Sequence, residues 1–298
     1  MSRQQTPGSA TRSGGKNTVA PGLYVTATPI GNSADISLRA LDVLARADLV
    51  LCEDTRVTAK LLALHGIAAR TAPYHDHNAA KVRPEILARL DAGETIALVS
   101  DAGTPTVADP GYKLIREAVA RGLPVTTLPG PSAVIAALTL AALPTDRFLF
   151  AGFPPPKQSA RRAWYKGMAG LDATLVFYES PKRLAASLAD AALVLGDRPA
   201  AVARELTKMF EEVRRAPLSD LAGHYAEAGA PKGEIVVVVG PPDEKTAARE
   251  IDLDGALKSA LETRSVKEAV AHVAAETGLP RREVYARALA LKPAKKNE

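Results

Sequence analysis

Cysteine and long apolar runs are scarce in this chain. Cys52 is the single cysteine among 298 residues, which excludes an internal disulfide framework and favours a reducing compartment such as the cytoplasm. The longest apolar stretch covers only residues 133–143, whereas a membrane-spanning helix needs roughly 18 to 20 residues. The motifs G-x-G-x-x-G and G-x-x-x-x-G-K-S/T are also absent, so NAD, FAD and ATP are disfavoured as cofactors.

The net charge of +5 is concentrated at the two ends of the chain. Residues 1–18 carry +3 and residues 281–298 carry +4, which leaves residues 19–280 at about −2. The central body therefore lacks the uniform basic surface by which some proteins bind nucleic acids through net charge. Any nucleic-acid site is predicted to be a local basic patch.

The length and composition predict a globular protein of two domains, each of about 150 residues. Short apolar runs alternate with amphipathic stretches, the pattern of strands joined by crossover helices in an α/β sheet. We predict a disordered basic extension at 1–20, a parallel α/β domain at 21–143, a second α/β domain at 148–242, and a helical appendage with a basic tail at 250–298.

Three loops directly follow predicted strands of the first domain. They read TATPIGN (26–32), SDAGTP (100–105) and LPGPSA (128–133). In open parallel sheets, ligands bind beyond the carboxyl ends of the strands, where loops expose backbone donors. Taken singly, each loop is also compatible with an ordinary turn, in which Asp101 caps its own loop and Ser132 caps a helix.

Together with GFPPPK (152–157), FYESPKR (177–183) and RELTK (204–208), these loops resemble, in order, the motifs of the tetrapyrrole methylase superfamily. The most similar branch is the bacterial ribosomal RNA small subunit methyltransferase I family, which methylates a cytidine ribose 2'-hydroxyl in the decoding centre. The resemblance implies two α/β domains with S-adenosylmethionine in the cleft between them. It also implies a homodimer and, as substrate, 16S ribosomal RNA within the 30S subunit.

The resemblance carries cofactor contacts over to single positions of this chain. These positions are Pro29, Ser100, Asp101, Ala102, Thr104, Ser132, Ala133, Glu179 and Leu206. Glu179 has two interpretations, since its carboxylate either stabilises the cofactor's sulfonium or turns toward Lys182 and Arg183.

Candidate catalytic residues are Glu53 and Arg56, in the CEDTR segment, and Lys182. A ribose hydroxyl has a pKa far above neutrality, so methyl transfer needs in-line positioning and, in some mechanisms, a base. An alternative is that Asp54 caps a helix and forms a salt bridge within CEDTR. Lys182 is a general base only if its pKa is depressed, and phosphate binding is the simpler role.

The segment 153–183 is the predicted RNA-binding patch. Its cations are interleaved with aromatic residues, a combination suited to phosphates and unstacked bases. The alternative is a solvated charged helix with Trp164 in the core. The proposed RNA contacts are Lys157, Arg161, Arg162, Lys166 and Arg183.

Two other classes of function remain open from the sequence. One is a small-molecule methylase of the tetrapyrrole type on the same fold, and the other is a non-catalytic RNA-binding assembly factor. No metal is predicted, because His75, Asp76 and His77 have no third ligand at a recognisable spacing.

Overall fold

The computed structural model describes residues 19–242, 253–277 and 279–291, and the chain divides into two compact units between residues 132 and 133. Nearly all of the predicted basic extension and the whole basic tail after residue 291 lie outside the described residues. No helix in the described part of the chain is long and apolar enough to cross a membrane.

The first unit is built on a five-stranded parallel sheet with the strand order β3-β2-β4-β1-β5. Its central strands are buried on both faces, as expected where helices cover a parallel sheet. The strands are β1 (Gly22–Thr26), β2 (Leu49–Cys52), β3 (Thr71–Pro73), β4 (Thr95–Val99) and β5 (Val125–Leu128); the helices are α1 (Leu38–Arg46), α2 (Thr55–Leu64), α3 (Ala79–Asp91) and α4 (Tyr112–Ala120).

Alternate residues of these strands enter two separate apolar clusters. Leu51 and Ile96 pack with side chains of α3 and α4, whereas Val50 and Ala97 pack with those of α1 and α2. The helices therefore cover both faces of the sheet and leave the carboxyl ends of β1, β2 and β4 free to carry loops. This agrees with the parallel α/β architecture predicted from the sequence.

The second unit contains a mixed sheet with the order β6-β7-β10-β8-β9, in which β10 runs antiparallel to both β7 and β8. Its elements are α5 (Ala133–Leu140), β6 (Phe148–Phe150), α6 (Gln158–Lys166), β7 (Thr174–Glu179), α7 (Leu184–Leu195), β8 (Pro199–Arg204), β9 (Glu212–Pro217), α8 (Leu218–Ala228) and β10 (Ile235–Val239). Because β7 and β8 run in the same direction, their carboxyl ends share one edge with the start of β10.

Helix α5 groups with the second unit, although the sequence placed it at the end of the first domain. It is apolar on nearly all sides and packs on β10 and β7. The boundary between the units therefore precedes this helix.

Among the residues that the structure describes, three helices follow the second sheet in sequence, in agreement with the predicted helical appendage. They are α9 (Leu253–Thr263), α10 (Val266–Thr277) and α11 (Arg281–Leu291). Leu257, Val273 and Val284 lie in their shared apolar cluster. A bidentate ion pair between Arg287 and Asp254, at 2.5 and 2.6 Å, joins α11 to α9.

Candidate active site

The loops after β1 and β4 are joined by reciprocal backbone hydrogen bonds. The amide of Thr28 donates to the carbonyl of Gly103 at 2.9 Å, and the amide of Gly103 donates back at 3.0 Å. The Thr28 hydroxyl also donates to the Ser100 carbonyl at 3.0 Å. TATPIGN and SDAGTP therefore form one connected structure at the edge of the sheet.

The loop after β5 contacts both of these loops. The Thr104 hydroxyl donates to the carbonyl of Pro131 at 3.0 Å. A Cβ atom on Gly130 would lie 2.9 Å from the Cβ of Ala27, so only glycine allows this approach without movement. The structure thus brings together the three motif loops of the first unit, which carry the predicted cofactor positions Pro29, Ser100, Asp101, Ala102, Thr104 and Ser132.

A cluster of carboxyl groups lies beside these loops, after β2 and β4. The carboxyl groups of Glu53 and Asp109 lie close enough to raise each other's cost of ionisation, and a hydrogen bond between them requires that one of the two is protonated. Burial, followed by the charges of Asp109 and Asp101, raises the pKa of Glu53 to about 7. Burial also raises the pKa of Asp109 to about 6, so the pair holds a proton near neutral pH.

Glu53 Oε1 is a buried acceptor without a hydrogen-bond partner among the described residues. The partner residue Asp109 lies in a segment where two other non-glycine residues, Thr106 and Ala108, adopt positive φ angles of 73° and 66°. Such backbone strain is typical of functional loops. The sequence did not predict the pairing of Asp109 with Glu53, because the two are separated by more than fifty positions in the chain.

Asp54 and Arg56 form the helix cap and salt bridge that the sequence left open as an alternative. Asp54 accepts from the Arg56 amide at 2.8 Å at the start of α2, and its carboxylate binds the Arg56 guanidinium at 2.6 Å. Hydrogen bonds from Arg56 lower the pKa of Asp54 to about 2. The Arg56 side chain is 86% exposed, so it lies on the surface while Glu53 is directed inward.

Glu179, at the end of β7 in the second unit, turns toward Arg183. Its Oε1 accepts from the Arg183 guanidinium at 2.8 Å and from the Ser180 amide at 2.7 Å, while Oε2 is buried without a partner in the described structure. Arg183 also donates to the Pro154 carbonyl at 3.3 Å. Lys182, the adjacent candidate, is exposed.

The assignment of Arg161 to the RNA-binding patch is wrong, because the structure buries its side chain inside the second unit. Its side chain is 5% exposed and forms a two-point ion pair, at 2.5 and 2.8 Å, with the buried carboxylate of Asp190 on α7. Arg162 binds the other oxygen of Asp190 at 2.6 Å but is exposed. Arg161 therefore holds α6 against α7 and does not belong to an RNA-binding surface.

The remaining cations of the predicted patch, Lys157 and Lys166, are exposed like Arg162. Trp164 instead packs edge-on against Phe177, with ring centroids 5.8 Å apart, as the alternative interpretation of this helix predicted. Phe153 is the exposed aromatic residue here, and its ring centroid lies 5.2 Å from that of Tyr178.

Leu206 is buried in the loop after β8, between Glu205 and Thr207, which have positive φ angles of 51° and 65°.

The rings of His75 and His77 lie 6.0 Å apart in the first unit. Within the described ranges, no group of three or more His, Cys, Asp or Glu side chains is arranged to hold a metal ion.

The chain belongs to a class of methylases, the tetrapyrrole (corrin/porphyrin) methylase family, whose profile matches residues 22–222. A second profile, the RsmI C-terminal HTH domain, matches residues 247–292. The resemblance read from the motifs is thereby confirmed.

Curated relatives similar to this chain are named ribosomal RNA small subunit methyltransferase I. The protein of Mesorhizobium japonicum is 51% identical over 91% of this chain and 92% of its own length. The protein of Erythrobacter litoralis is 52% identical over 92% of this chain and 96% of its own length.

Solved structures share the fold at low sequence identity. A diphthine synthase matches with a TM-score of 0.57 and 18% identity, covering 73% of this chain and 89% of that one. Uroporphyrin-III C-methyltransferase from Thermus thermophilus, complexed with S-adenyl homocysteine, matches with a TM-score of 0.52 and 18% identity, covering 73% and 96%.

Proposed function

We propose that this chain methylates small-subunit (16S) ribosomal RNA with S-adenosylmethionine and that the acceptor is a cytidine ribose 2'-hydroxyl. The names of the curated relatives support the RNA substrate. The observation that carries the chemistry is the proton-holding pair of Glu53 and Asp109 beside the three interlocked loops. The proposal includes action on the 30S subunit, in the cytoplasm, by a homodimer.

The residues proposed to hold the cofactor have the chemistry that it requires. When bound, S-adenosylmethionine supplies an electrophilic methyl group on a positively charged sulfonium. The positions proposed to hold it are Pro29, Ser100, Asp101, Ala102, Thr104, Ser132, Ala133, Glu179 and Leu206. The fit is supported by the close backbone approach at Gly130 and by the unpartnered buried oxygen of Glu179, an acceptor suited to a positively charged or N–H-bearing ligand. The fold neighbour that holds S-adenyl homocysteine supports the same class of cofactor.

Glu53 is the proposed acceptor of the proton that the ribose hydroxyl loses. A general base works best when its pKa lies near the working pH, and Glu53 meets this condition because of burial and of neighbouring carboxyl groups. Its Oε1 atom has lone pairs that no described residue uses. Arg56 and Lys182 are exposed cations, so we assign them to phosphate contacts and not to proton transfer.

The proposed RNA surface of the second unit consists of Lys157, Arg162 and Lys166, with Phe153 as an exposed ring. Cations of this kind bind phosphates, and an exposed aromatic ring stacks on an unpaired base. Arg183 contributes from its anchored position beside Glu179.

Transfer of a radiolabelled methyl group from S-adenosylmethionine to 30S subunits that lack the modification tests the proposal. Label is expected in the RNA, and nuclease digestion should locate it on a cytidine ribose. Label in uroporphyrinogen instead would identify a small-molecule methylase. Label in neither substrate would favour the non-catalytic assembly factor.

A further inference from the structure

A groove opens at the edge of the second sheet, on a part of the chain that the predicted RNA patch does not include. It lies among β9, the C-terminal half of α8 and the loops on either side of them, and its volume is about 560 Å³. The lining residues used below are Arg204, Phe210, Glu212, Arg214, Tyr225 and Lys232.

Tyr225 supplies a polar atom that lacks a partner inside the protein. The residue is 5% exposed, and its buried hydroxyl has no hydrogen-bond partner within bonding distance among the described residues. Burial raises the pKa of Tyr225 and the nearby Arg214 guanidinium lowers it, so the hydroxyl lies beside a cation of the same lining. A tyrosine hydroxyl is protonated at neutral pH and can donate to a ligand. A buried hydroxyl without a partner is costly in a folded protein, which is why such groups require an explanation.

The charge of the groove favours an anionic ligand. Glu212 is the one carboxylate in the lining, and it binds both Arg204 at 2.8 Å and Arg214 at 3.1 Å. Lys232 adds a third cation to the same lining. Cations therefore outnumber carboxylates three to one, and the lining is suited to bind a phosphate group.

An aromatic ring stands exposed beside these cations. Phe210 is 67% exposed, and the preceding Met209 is 91% exposed but does not line the groove. An exposed ring costs free energy in water unless a ligand covers it, and nucleobases stack on such rings without strong sequence preference.

We propose that this groove binds one nucleotide of an unpaired RNA segment. Its base stacks on Phe210, its phosphate lies against Arg214 and Lys232, and the Tyr225 hydroxyl donates to an oxygen of the base or ribose. The proposal rests on the proposed function for the identity of the ligand as RNA. It adds a second contact surface, formed by residues far in sequence from segment 153–183.

Fluorescence anisotropy with a short, dye-labelled, single-stranded RNA of mixed sequence tests this proposal in the full-length protein. Phe210→Ala should weaken binding about tenfold, the usual effect of losing one stacking ring. Arg214→Gln should weaken it and reduce the salt slope by about one. Met209→Ala is the matched control, since it removes a more exposed neighbour outside the lining, and its affinity should stay within about twofold of wild type.

Tyr225→Phe separates a ligand role from a structural one. It removes a hydroxyl that has no internal partner, so Tm should be unchanged or higher while RNA affinity falls about threefold, as for one lost hydrogen bond. A lower Tm with unchanged RNA affinity would show an internal role and overturn the proposal. Unchanged RNA affinity in all three groove variants would also overturn it.

Sedimentation and methyl transfer complete the test. If the groove variants change the oligomeric state and leave RNA affinity intact, the groove is an interface between copies of the chain and the proposal fails. Wild-type methylation of 30S subunits combined with normal RNA binding by the variants would reject the groove alone. Loss of RNA affinity in the variants, with no methylation by the wild type, would uphold the groove and reject the proposed function.

Discussion

The two sheets differ in how the carboxyl groups at their strand ends are surrounded. In the first unit, β2 and β4 are followed by Glu53, Asp101 and Asp109, whereas Glu179 at the end of β7 in the second unit forms an ion pair with Arg183. Loops follow the strand ends in both units, but the neighbouring side chains give them different chemistry. The first edge groups carboxyl groups that hold a proton, and the second compensates its carboxylate with a cation.

Within the first edge, two adjacent acids show how strongly the surroundings decide behaviour. Burial and neighbouring carboxyl groups raise the pKa of Glu53 to about 7. Hydrogen bonds from Arg56 lower the pKa of Asp54 to about 2. Of these two adjacent acids, therefore, only Glu53 can both accept and release a proton near neutral pH.

The largest expected effect comes from Glu53→Gln, which keeps the shape of the side chain but removes its basic oxygen. Methyl transfer should fall by about 100- to 1000-fold in kcat, within the range for loss of a general base. Cofactor affinity, measured by calorimetry, should change little. Asp54→Asn is the control, and it should retain most of the activity; equal losses in both variants would contradict the assignment of the base.

Arg161→Ala should produce the next largest effect, on stability. It leaves the buried carboxylate of Asp190 with the exposed Arg162 as its remaining ion-pair partner, and the free energy of unfolding should fall by about 3 kcal/mol. Arg162→Ala, which removes an exposed partner, should cost less than about 1 kcal/mol and should weaken RNA binding. Urea unfolding and RNA titration distinguish the two variants, and similar unfolding midpoints would reject the interior role of Arg161.

Gly130→Ala should have a smaller effect, centred on the contact between loops. The new methyl group would lie 2.9 Å from the Cβ of Ala27 and force the loops apart. We expect a loss of about 1 to 2 kcal/mol in stability, as for mild overpacking, together with weaker binding of S-adenosylmethionine. Gly170→Ala is the control, because no atom lies within 4 Å of its added Cβ. Normal cofactor binding by Gly130→Ala would separate this contact from the cofactor site.

The smallest effect is the pH dependence of stability. Burial raises the pKa of Glu53 from 4.5 to about 7, so folding disfavours its charged form. The contribution of Glu53 is therefore most favourable below pH 4.5, decreases as the pH rises, and becomes constant above about pH 7. Urea midpoints of the wild type and Glu53→Gln should diverge across this window. Parallel curves would show that Glu53 titrates normally.

The sequence predicted the central strands of both sheets and missed one edge strand in each, β3 and β9. Apolar runs ending in proline- and glycine-containing turns located the strand-end loops, because that pattern depends on neighbours in sequence. Strand β9 was missed because half of its residues, EVRRAP, are charged and none of them is fully buried. Arg161 was assigned to the surface because its partner, Asp190, lies on another helix. The Glu53 and Asp109 pair likewise depends on folding and not on spacing.

Asp101 connects the loop after β4 to the N-terminus of α2, since its carboxylate accepts a hydrogen bond from the Asp54 amide at 3.0 Å. Its charge is one of the causes that keep Glu53 protonated. A cation beside Asp101 would offset that charge and lower the pKa of Glu53. Binding of a positively charged methyl donor and deprotonation of Glu53 would then be thermodynamically linked, so that each favours the other.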